Sequence, residues 1–460
     1  MRAIMGIDIG SSSVKVVIGE YDGQTISFGG SGIASTKGVK KGKITNLEEV
    51  VRGVKEAYTK AKRVAGISPE LTFVAISGMY GKSIYSRGIV NLPEREIHLR
   101  EINRAIKNAV YNARIPQDSQ ILHAIPYQFQ VDNMEGIYDP IGMGGNRLEV
   151  DVHIVLIEKS ALENVKRIFK QAGIPVAGIV LSPFASGLGV LTQEEREQGS
   201  AILDVGYTTT NIGIFYNKNL VAFDKFGVGS HHITKDIAEV AQIPIKEAEK
   251  IKKNFNALLK HTKISVKSNT IPPEPQEVSV RTIATALVMR MKEMFLIYRK
   301  LLAKTPFRKY ISTIAITGGF AKFPSIDKIA KLFFPKQVVR VGIARQIQNF
   351  SSSGGESELS VAVGAMVYGV GREILYELDH DNRFRGKHNP LSGIGPEEDV
   401  PLPPKREEKR RERVKQPQTT STQSTERKKE ILDFRDLSRR QGRQEDGVWK
   451  KFLNMLNNLF

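Results

Sequence analysis

The sequence predicts an α/β fold whose core is built twice along the chain. Strand-like and helix-like segments alternate over residues 1–382. A run of apolar residues followed by Asp, one apolar residue, Gly and small hydroxyl residues occurs at Asp8 and again at Asp204, 196 positions later. A second β-rich run follows in both places. A duplicated α/β unit is the simplest arrangement that explains this repeat.

The first copy begins at the N-terminus. Two β-rich runs, Ile4–Ile9 and Val14–Glu20, flank the turn residues Gly10, Ser11, Ser12 and Ser13, a pattern typical of a β-hairpin. Helical periodicity then covers Leu47–Ala65, and a further predicted strand follows at Leu71–Ser77.

The second copy has the same order of segments. Predicted strands Ala201–Val205 and Asn211–Tyr216 flank the turn residues Gly206, Tyr207, Thr208, Thr209 and Thr210. Later, the β-rich run Ile314–Thr317 ends in Gly318, Gly319 and Phe320, before a predicted helix at Ser325–Leu332. Paired glycines allow a flat ring or a phosphate to approach the backbone closely.

The two Asp-containing turns have the composition of phosphate-binding sites. Glycine leaves room for backbone N–H groups to point at an anion, and Ser or Thr hydroxyls add donors. The carboxylates of Asp8 and Asp204 are suited to hold a hydrated Mg²⁺ that neutralises the same phosphates. Two such turns, one from each half, would hold a triphosphate between them. The alternative for either turn alone is an ordinary tight hairpin.

Composition limits the other possibilities. The 460 residues include 68 Lys and Arg against 49 Asp and Glu, a net charge of +19, and no Cys, which excludes disulfide scaffolds and thiolate sites. We expect neither a signal peptide nor a membrane-spanning segment. The charge suggests an anionic partner, but the core lacks a nucleic-acid recognition motif, so no nucleic acid is expected.

The C-terminal part of the sequence has a different character. Residues 383–446 are poor in apolar side chains and rich in charge, Pro, Ser and Thr, which predicts a disordered linker. The last fourteen residues predict an amphipathic helix with Lys450, Lys451 and three Asn opposite an apolar face. Such a face beside Lys is typical of a helix that lies in an anionic lipid surface. The alternative is a helix that packs on its own domain or in a partner groove. The predicted membrane contacts are Val448, Trp449, Lys450, Lys451, Phe452, Leu453, Leu456, Leu459 and Phe460.

These motifs together resemble those of a known superfamily. Segments Gly6–Lys15, Leu203–Asn211 and Ile316–Ala321 are similar to the two phosphate motifs and the adenosine motif of the actin/Hsp70/sugar-kinase superfamily. Within it the chain resembles the bacterial cell-division FtsA family, in particular at Ile121–Pro126, Glu135–Ile137, Asp139–Gly142, Val152–Ile154, Glu194–Glu197, Val228–Ser230 and Thr234–Ala238.

The resemblance implies a fold and its subdivisions. It implies a duplicated actin-like ATPase core with an inserted FtsA-type subdomain, followed by the linker and the terminal helix. The implied boundaries are 1–84 with 163–195 for subdomain 1A, 85–162 for the inserted 1C, 196–229 with 305–382 for 2A, 230–304 for 2B, 383–446 for the linker and 447–460 for the helix.

The resemblance also implies ligands and partners. ATP and Mg would bind in the cleft, and the chain would assemble into filaments at the cytoplasmic face of the inner membrane at the division site. The C-terminal peptide of the tubulin-like FtsZ would dock on 2B, and 1C would contact neighbouring copies and other division proteins. The implied cofactor-binding residues are Asp8, Gly10, Ser11, Ser12, Ser13, Lys15, Gly206, Tyr207, Thr208, Thr209, Gly227, Gly229, Glu249, Lys252, Gly318, Gly319 and Phe320, with Asp8 and Asp204 at the metal. For Glu249 and Lys252 the alternative is an exposed, charged helix face.

ATP hydrolysis needs a side chain that orients or deprotonates the attacking water. Hsp70-type and actin-type relatives carry Glu or Gln in the segment that connects the halves, whereas Leu181–Leu188 holds neither and Ser182 stands in its place. Asp204 is the one catalytic candidate, so we expect at most slow ATP hydrolysis. A PilM-like assembly protein and an active ATPase or kinase of the same fold stay open as alternatives.

Overall fold

The computed structural model describes residues 1–92, 96–258, 260–344, 347–350 and 356–386. The predicted terminal helix and nearly all of the predicted linker lie outside the described residues. The strands are β1 (Arg2–Ile9), β2 (Ser13–Tyr21), β3 (Ile26–Ser35), β4 (Val39–Lys40), β5 (Lys43–Ile44), β6 (Leu71–Ile76), β7 (Gly81–Asn91), β8 (Ser119–Val131), β9 (Met134–Ile137), β10 (Arg147–Glu158), β11 (Gly178–Leu181), β12 (Ser200–Val205), β13 (Thr210–Tyr216), β14 (Asn219–Phe226), β15 (Lys263–Lys267), β16 (Pro275–Ser279), β17 (Thr313–Thr317), β18 (Val338–Val341), β19 (Ile347–Gln348), β20 (Tyr376–Asp379) and β21 (Phe384–Gly386). The helices are α1 (Leu47–Ala65), α2 (Leu99–Asn112), α3 (Lys159–Ala172), α4 (Ser182–Val190), α5 (Gln193–Gln198), α6 (Ser230–Ala241), α7 (Ile245–Lys253), α8 (Phe255–Leu258), α9 (Val280–Lys304), α10 (Ile326–Phe333) and α11 (Ser360–Val370).

The predicted duplication is confirmed by the strand order of two sheets. The order β3-β2-β1-β6-β11 in the first half is repeated as β14-β13-β12-β17-β18 in the second. In both, the first three strands are antiparallel neighbours and the last three are parallel. Asp8 lies opposite Lys15 in one hairpin, and Asp204 lies opposite Asn211 in the other.

Helix α1 has the predicted bounds because both of its ends carry clear signals. The side chain of Asn46 accepts a hydrogen bond from the Glu49 N–H and caps the first turn. At the other end Gly66 adopts a left-handed conformation with φ +69°, which glycine accommodates without strain.

A third sheet is formed mainly by β7–β10, which are inserted within the first half, between β6 and β11. Its order is β21-β20-β8-β10-β7, with β9 beside β8, and α2 packs on it over a separate apolar core. Strands β20 and β21 join through Leu378, which lies opposite Ala124. The boundary predicted at residue 382 between 2A and the linker falls between β20 and β21, and both strands join the inserted sheet instead. Two strands of four and three residues are too short to produce a periodic pattern.

Helices α4 and α11 are buried along their whole length. They cross so closely that a Cβ on Gly364 would lie 1.7 Å from the Ala185 carbonyl oxygen. Helix α11 also packs on β1, where a Cβ on Gly6 would lie 1.9 Å from the Ala362 carbonyl oxygen. Residues 360–370, assigned to 2A from sequence, therefore pack against the first half. Within the described ranges, no helix is both long enough and apolar enough to cross a bilayer.

Candidate functional site

The two phosphate-type turns face one cleft. Its volume is about 560 Å³, and it lies where the equivalent strands β1 and β12 of the two sheets end, the usual ligand position in parallel α/β sheets. Among the predicted residues, those that line it are Asp8, Gly10, Ser11, Ser12, Ser13, Lys15, Asp204, Gly206, Tyr207, Thr209, Glu249, Lys252, Gly318, Gly319 and Phe320. Thr208, Gly227 and Gly229 are not among the lining residues.

The two turns share one backbone geometry. The Gly10 N–H donates to the Ser13 carbonyl at 3.0 Å, and the Gly206 N–H donates to the Thr209 carbonyl at 2.9 Å. Within the described part of the chain, the backbone N–H groups of Ser11, Ser12, Tyr207 and Thr208 have no hydrogen-bond acceptor. Three of these residues, Ser11, Ser12 and Tyr207, line the cleft, and their free N–H groups are suited to an anion.

One cation and two carboxylates form the charged floor of the cleft. Lys15 Nζ donates to Asp8 Oδ2 at 2.8 Å, and both side chains are largely buried. Burial lowers the pKa of Lys15, but the charge and hydrogen bond of Asp8 outweigh it, so the pKa is raised. Burial, with a smaller contribution from Asp8, raises the pKa of Asp204 to about 6. A positive partner for Asp204 would therefore stabilise the site.

Helix α6 begins directly behind the second turn. The N–H groups of Ser230 and His231 donate to the carbonyls of Gly206 and Tyr207 at 3.0 and 2.8 Å. A Cβ on Gly229 would lie 2.5 Å from the Gly206 carbonyl oxygen, whereas a Cβ on Gly227 would meet no atom within 4 Å. Gly229 therefore packs directly against the backbone of the second turn.

The charged pair predicted on α7 is partly buried, unlike an exposed helix face. Lys252 is 6% exposed, and its Nζ donates to Glu249 Oε2 at 2.8 Å and to Thr234 Oγ1 at 2.9 Å. Burial lowers the pKa of Lys252. Burial raises the pKa of Glu249, but the hydrogen bonds from Lys252 and Thr234 outweigh this and lower it. Both residues line the cleft.

The paired glycines after β17, Gly318 and Gly319, form another wall of the cleft. Gly318 has φ +84°, and a Cβ there would lie 2.5 Å from Asp204 Oδ1. Its carbonyl accepts from Ser357 Oγ at 3.0 Å, which fixes the turn. Phe320 follows, with its ring 5.4 Å from that of Phe323. This wall offers backbone and aromatic surface to a flat ring.

The structure adds lining residues that are not among the predicted site residues: Ile9, Gly42, Ser77, Ser182, Asn211, Ser230, Lys253, Lys322, Phe323, Pro324, Glu358 and Val361. Most come from segments without a motif, so only the fold brings them to the cleft. Asn211 is an exception, because its position opposite Asp204 repeats that of Lys15 opposite Asp8. Asn211 Oδ1 and Thr208 Oγ1 are buried without a hydrogen-bond partner.

The predicted metal residues fit an ion held mainly through water. Across the described residues, no group of three or more His, Cys, Asp or Glu side chains is placed to hold a metal. Asp8 and Asp204 supply only two carboxylates, and Mg²⁺ commonly binds one or two carboxylates together with water and phosphate. The predicted membrane residues, 448–460, lie outside the described residues.

Comparisons with known proteins identify relatives over most of the chain. Residues 78–156 match the family model described as the SHS2 domain inserted in FtsA, and residues 201–364 match that of cell division protein FtsA. The chain is 30% identical to cell division protein FtsA of Helicobacter pylori strain J99, over 83% of this chain and 85% of the relative. It is also 30% identical to that of Pseudomonas aeruginosa, over 81% and 90%.

Solved structures share the fold at lower identity. A PilM-PilN type IV pilus biogenesis complex matches with a TM-score of 0.53 and 17% identity, over 80% of this chain and 98% of that one. MreB5 of Spiroplasma citri bound to ADP matches with a TM-score of 0.50 and 15% identity, over 80% and 96%.

Proposed function

Because the chain belongs to the FtsA family of cell-division proteins, we propose that it is an ATP-binding, actin-like division protein. In this proposal it assembles into filaments at the cytoplasmic face of the inner membrane and tethers the FtsZ ring there. The observation that carries the proposal is the pair of equivalent turns, one from each half, that face a single cleft around Lys15.

The chemistry of the cleft suits a nucleoside triphosphate. The turn N–H groups and Lys15 would bind the phosphates, and the wall at Gly318 and Phe320 would accept the adenosine. Glu249 and Lys252 would lie beside the sugar and base. Mg²⁺, held through water by Asp8 and Asp204, would neutralise phosphate charge. The high pKa of Asp204 supports this role, because a bound cation favours its ionised form.

Any ATP hydrolysis should be slow. Ser182 lines the cleft at the position where the resemblance implies Glu or Gln in Hsp70-type and actin-type proteins, and its Oγ donates to the Ile76 carbonyl at 3.0 Å. It is therefore engaged in the fold and is a poor base for activating water. Asp204 is the proposed group that would orient water, and the nucleotide would act mainly as a switch for assembly.

The proposed partners follow the subdivisions given above. The FtsZ C-terminal peptide would dock on 2B (residues 230–304), and neighbouring copies and other division proteins would contact 1C (residues 85–162). The terminal helix at 447–460 would insert its apolar face into anionic lipid. A single short helix binds reversibly, so a filament that presents many helices would gain strongly by avidity.

Two binding measurements test the proposal. Isothermal titration with Mg·ATP should show one site in the intact chain and strongly weakened binding in Lys15→Ala. Co-sedimentation with phosphatidylglycerol-containing vesicles should pellet the intact chain with ATP but not Trp449→Glu. Equal pelleting of the two proteins would contradict the membrane tether, and an absence of ATP binding would contradict the nucleotide site.

The alternatives make different predictions. A PilM-like assembly protein shares the fold but should not need Trp449 for any lipid binding. An active ATPase or kinase of this fold should turn over ATP well above about one per second, within the range usual for enzymes.

A further inference from the structure

One short turn outside all three motifs is linked to the first phosphate turn through the β4–β5 hairpin, and it packs against Asn211, which directly follows the second phosphate turn. It consists of residues 77–81 and contains a single turn of 3₁₀ helix, Gly78–Tyr80, between β6 and β7. Ser77 lines the cleft, and its Oγ accepts from the Met79 N–H at 3.3 Å. Gly81 is the first residue of β7, the strand at one edge of the inserted sheet. We call this segment the 77–81 turn.

On the side of the first half, the 77–81 turn is tied to the first phosphate turn through the β4–β5 hairpin. The Gly42 N–H donates to Ser11 Oγ at 3.2 Å, and the Ile44 N–H donates to the Tyr80 hydroxyl at 2.5 Å. A Cβ on Gly42 would lie 2.7 Å from Ser77 Oγ. The hairpin is therefore held between Ser11 and the 77–81 turn.

On the side of the second half, the same turn packs on β13 and β14. A Cβ on Gly78 would lie 2.7 Å from Asn211 Oδ1, the buried oxygen that has no partner. Lys225 Nζ donates to the Gly81 carbonyl, and a Cβ on Gly81 would lie 2.9 Å from the Phe223 ring. The inserted sheet continues this contact, since the Tyr85 hydroxyl donates to the Val221 carbonyl at 3.0 Å.

We propose that the 77–81 turn is part of the nucleotide site and transmits the state of the two phosphate turns to the inserted sheet. The proposal rests on the proposed function, because it requires that a nucleotide occupies the cleft. Tyr80 and Gly78 act as positioning residues: Tyr80 holds the hairpin against Ser11, and Gly78 leaves room for the Asn211 amide.

The coupling would follow short routes from the cleft to β7. Each route starts at a side chain that faces the cleft and crosses at most two hydrogen bonds. A phosphate that binds the first turn takes the Ser11 hydroxyl as a donor, while the Gly42 N–H still donates to that hydroxyl. Asn211 lines the cleft, so a ligand that orders its amide fixes that amide against Gly78. Both events stabilise one arrangement of the turn, and β7 is covalently continuous with it. A nucleotide bound in the cleft would thereby alter the surface that the inserted sheet offers to partners.

Hydrogen exchange in the intact chain tests the proposal. With saturating Mg·ATP, amides of β7 should exchange about fivefold more slowly than without nucleotide, at the lower end of typical coupling between sites. Tyr80→Phe removes only the hydroxyl that accepts from Ile44 and should reduce this response below about twofold. Tyr111→Phe, on the exposed side of α2, is the matched control and should keep the full response.

Each outcome has a distinct meaning. Mg·ATP binding without any response in β7 of the unsubstituted chain would overturn the coupling and leave the proposed function intact. A full response in both Tyr80→Phe and Gly78→Ala would overturn the role of the turn, and the second variant also serves if the first does not fold. An absence of Mg·ATP binding, measured by titration, would overturn the proposed function and this inference with it.

Discussion

At the scale of single residues, the charges in the cleft are arranged for a ligand rather than for stability. Asp204 is about 9% exposed and shares the cleft floor with Asp8, while Lys15 is hydrogen-bonded to Asp8. An ionised Asp204 without its own cation is costly, which is why burial and Asp8 raise its pKa to about 6. Groups with such perturbed pKa values are typical of functional sites.

The raised pKa predicts how Asp204→Asn changes stability with pH. Between pH 4 and 6 the folded chain retains a proton on Asp204 that the unfolded chain loses, so its free energy of unfolding falls as the pH rises through this window. At pH 7.5 the nucleotide-free variant should be more stable than the parent by about 1–3 kcal/mol, the order expected from a shift of this size. Urea denaturation at pH 4 and pH 7.5 measures the difference, which should nearly vanish at the lower pH.

The exposed Asp118→Asn is a suitable control and should show no such pH-dependent gain. Equal stabilisation by Asp204→Asn at both pH values, or destabilisation at pH 7.5, would mean that burial does not raise the pKa of Asp204.

At the scale of elements, the second phosphate turn depends on the start of α6. The turn's carbonyls accept from the first N–H groups of the helix, and only a residue without Cβ fits at position 229. Gly227 lies two residues earlier, and a Cβ there would meet no atom within 4 Å. It is therefore a matched control for substitutions at Gly229.

We predict that Gly229→Ala weakens Mg·ATP binding by at least about tenfold, equivalent to 1.4 kcal/mol, because its Cβ would displace the turn. Gly227→Ala should change the affinity less than about twofold. Isothermal titration of both variants measures the effect, with circular dichroism as a check on folding. Similar affinities for the two variants would contradict the positioning role of Gly229.

Two asparagine side chains of α2 protect β7, the edge strand of the inserted sheet. The side-chain amides of Asn108 and Asn112, one turn apart on α2, donate to the carbonyls of Ile89 and Arg87 on β7 at 2.8 and 3.1 Å. Edge carbonyls that are capped in this way are less able to pair with a strand of another molecule. The Asn108→Ala, Asn112→Ala double variant should therefore aggregate faster on mild heating than the parent, as followed by light scattering. Thr59→Ala in α1, which removes a side-chain bond within one helix, is the control.

The elements also show which parts of the fold could be predicted from sequence. The hairpins at Asp8 and Asp204, and the helix 47–65, carry local signals, namely turn residues, alternation and caps, and the structure has them at nearly the predicted bounds. The strands β20 and β21 carry none, since each is only three or four residues long and pairs with β8 from a distant part of the chain. In the cleft, motif residues were predicted, whereas Lys322, Phe323 and Glu358 reach it only because β17 and α11 pack as they do.

At the scale of the whole molecule, the cleft is built from both halves, so a bound nucleotide should couple their unfolding. Asp8 and Lys15 belong to the first half, and Asp204, Glu249 and Gly318 belong to the second. A ligand that contacts both binds only when both are folded, and a ligand at 100 times its Kd adds about 2.7 kcal/mol to the free energy of unfolding.

Thermal unfolding in saturating Mg·ATP should therefore show one transition at a higher temperature than that of the nucleotide-free chain, and differential scanning calorimetry measures it. Lys15→Ala should lose the increase, because the phosphates lose the lysine that is hydrogen-bonded to Asp8 on the cleft floor. Trp449→Glu should keep the full increase, because its proposed role is at the membrane and not in the cleft. Two separate transitions, only one of which shifts with Mg·ATP, would mean that the nucleotide contacts one half alone. That result would contradict a nucleotide site shared by the two halves.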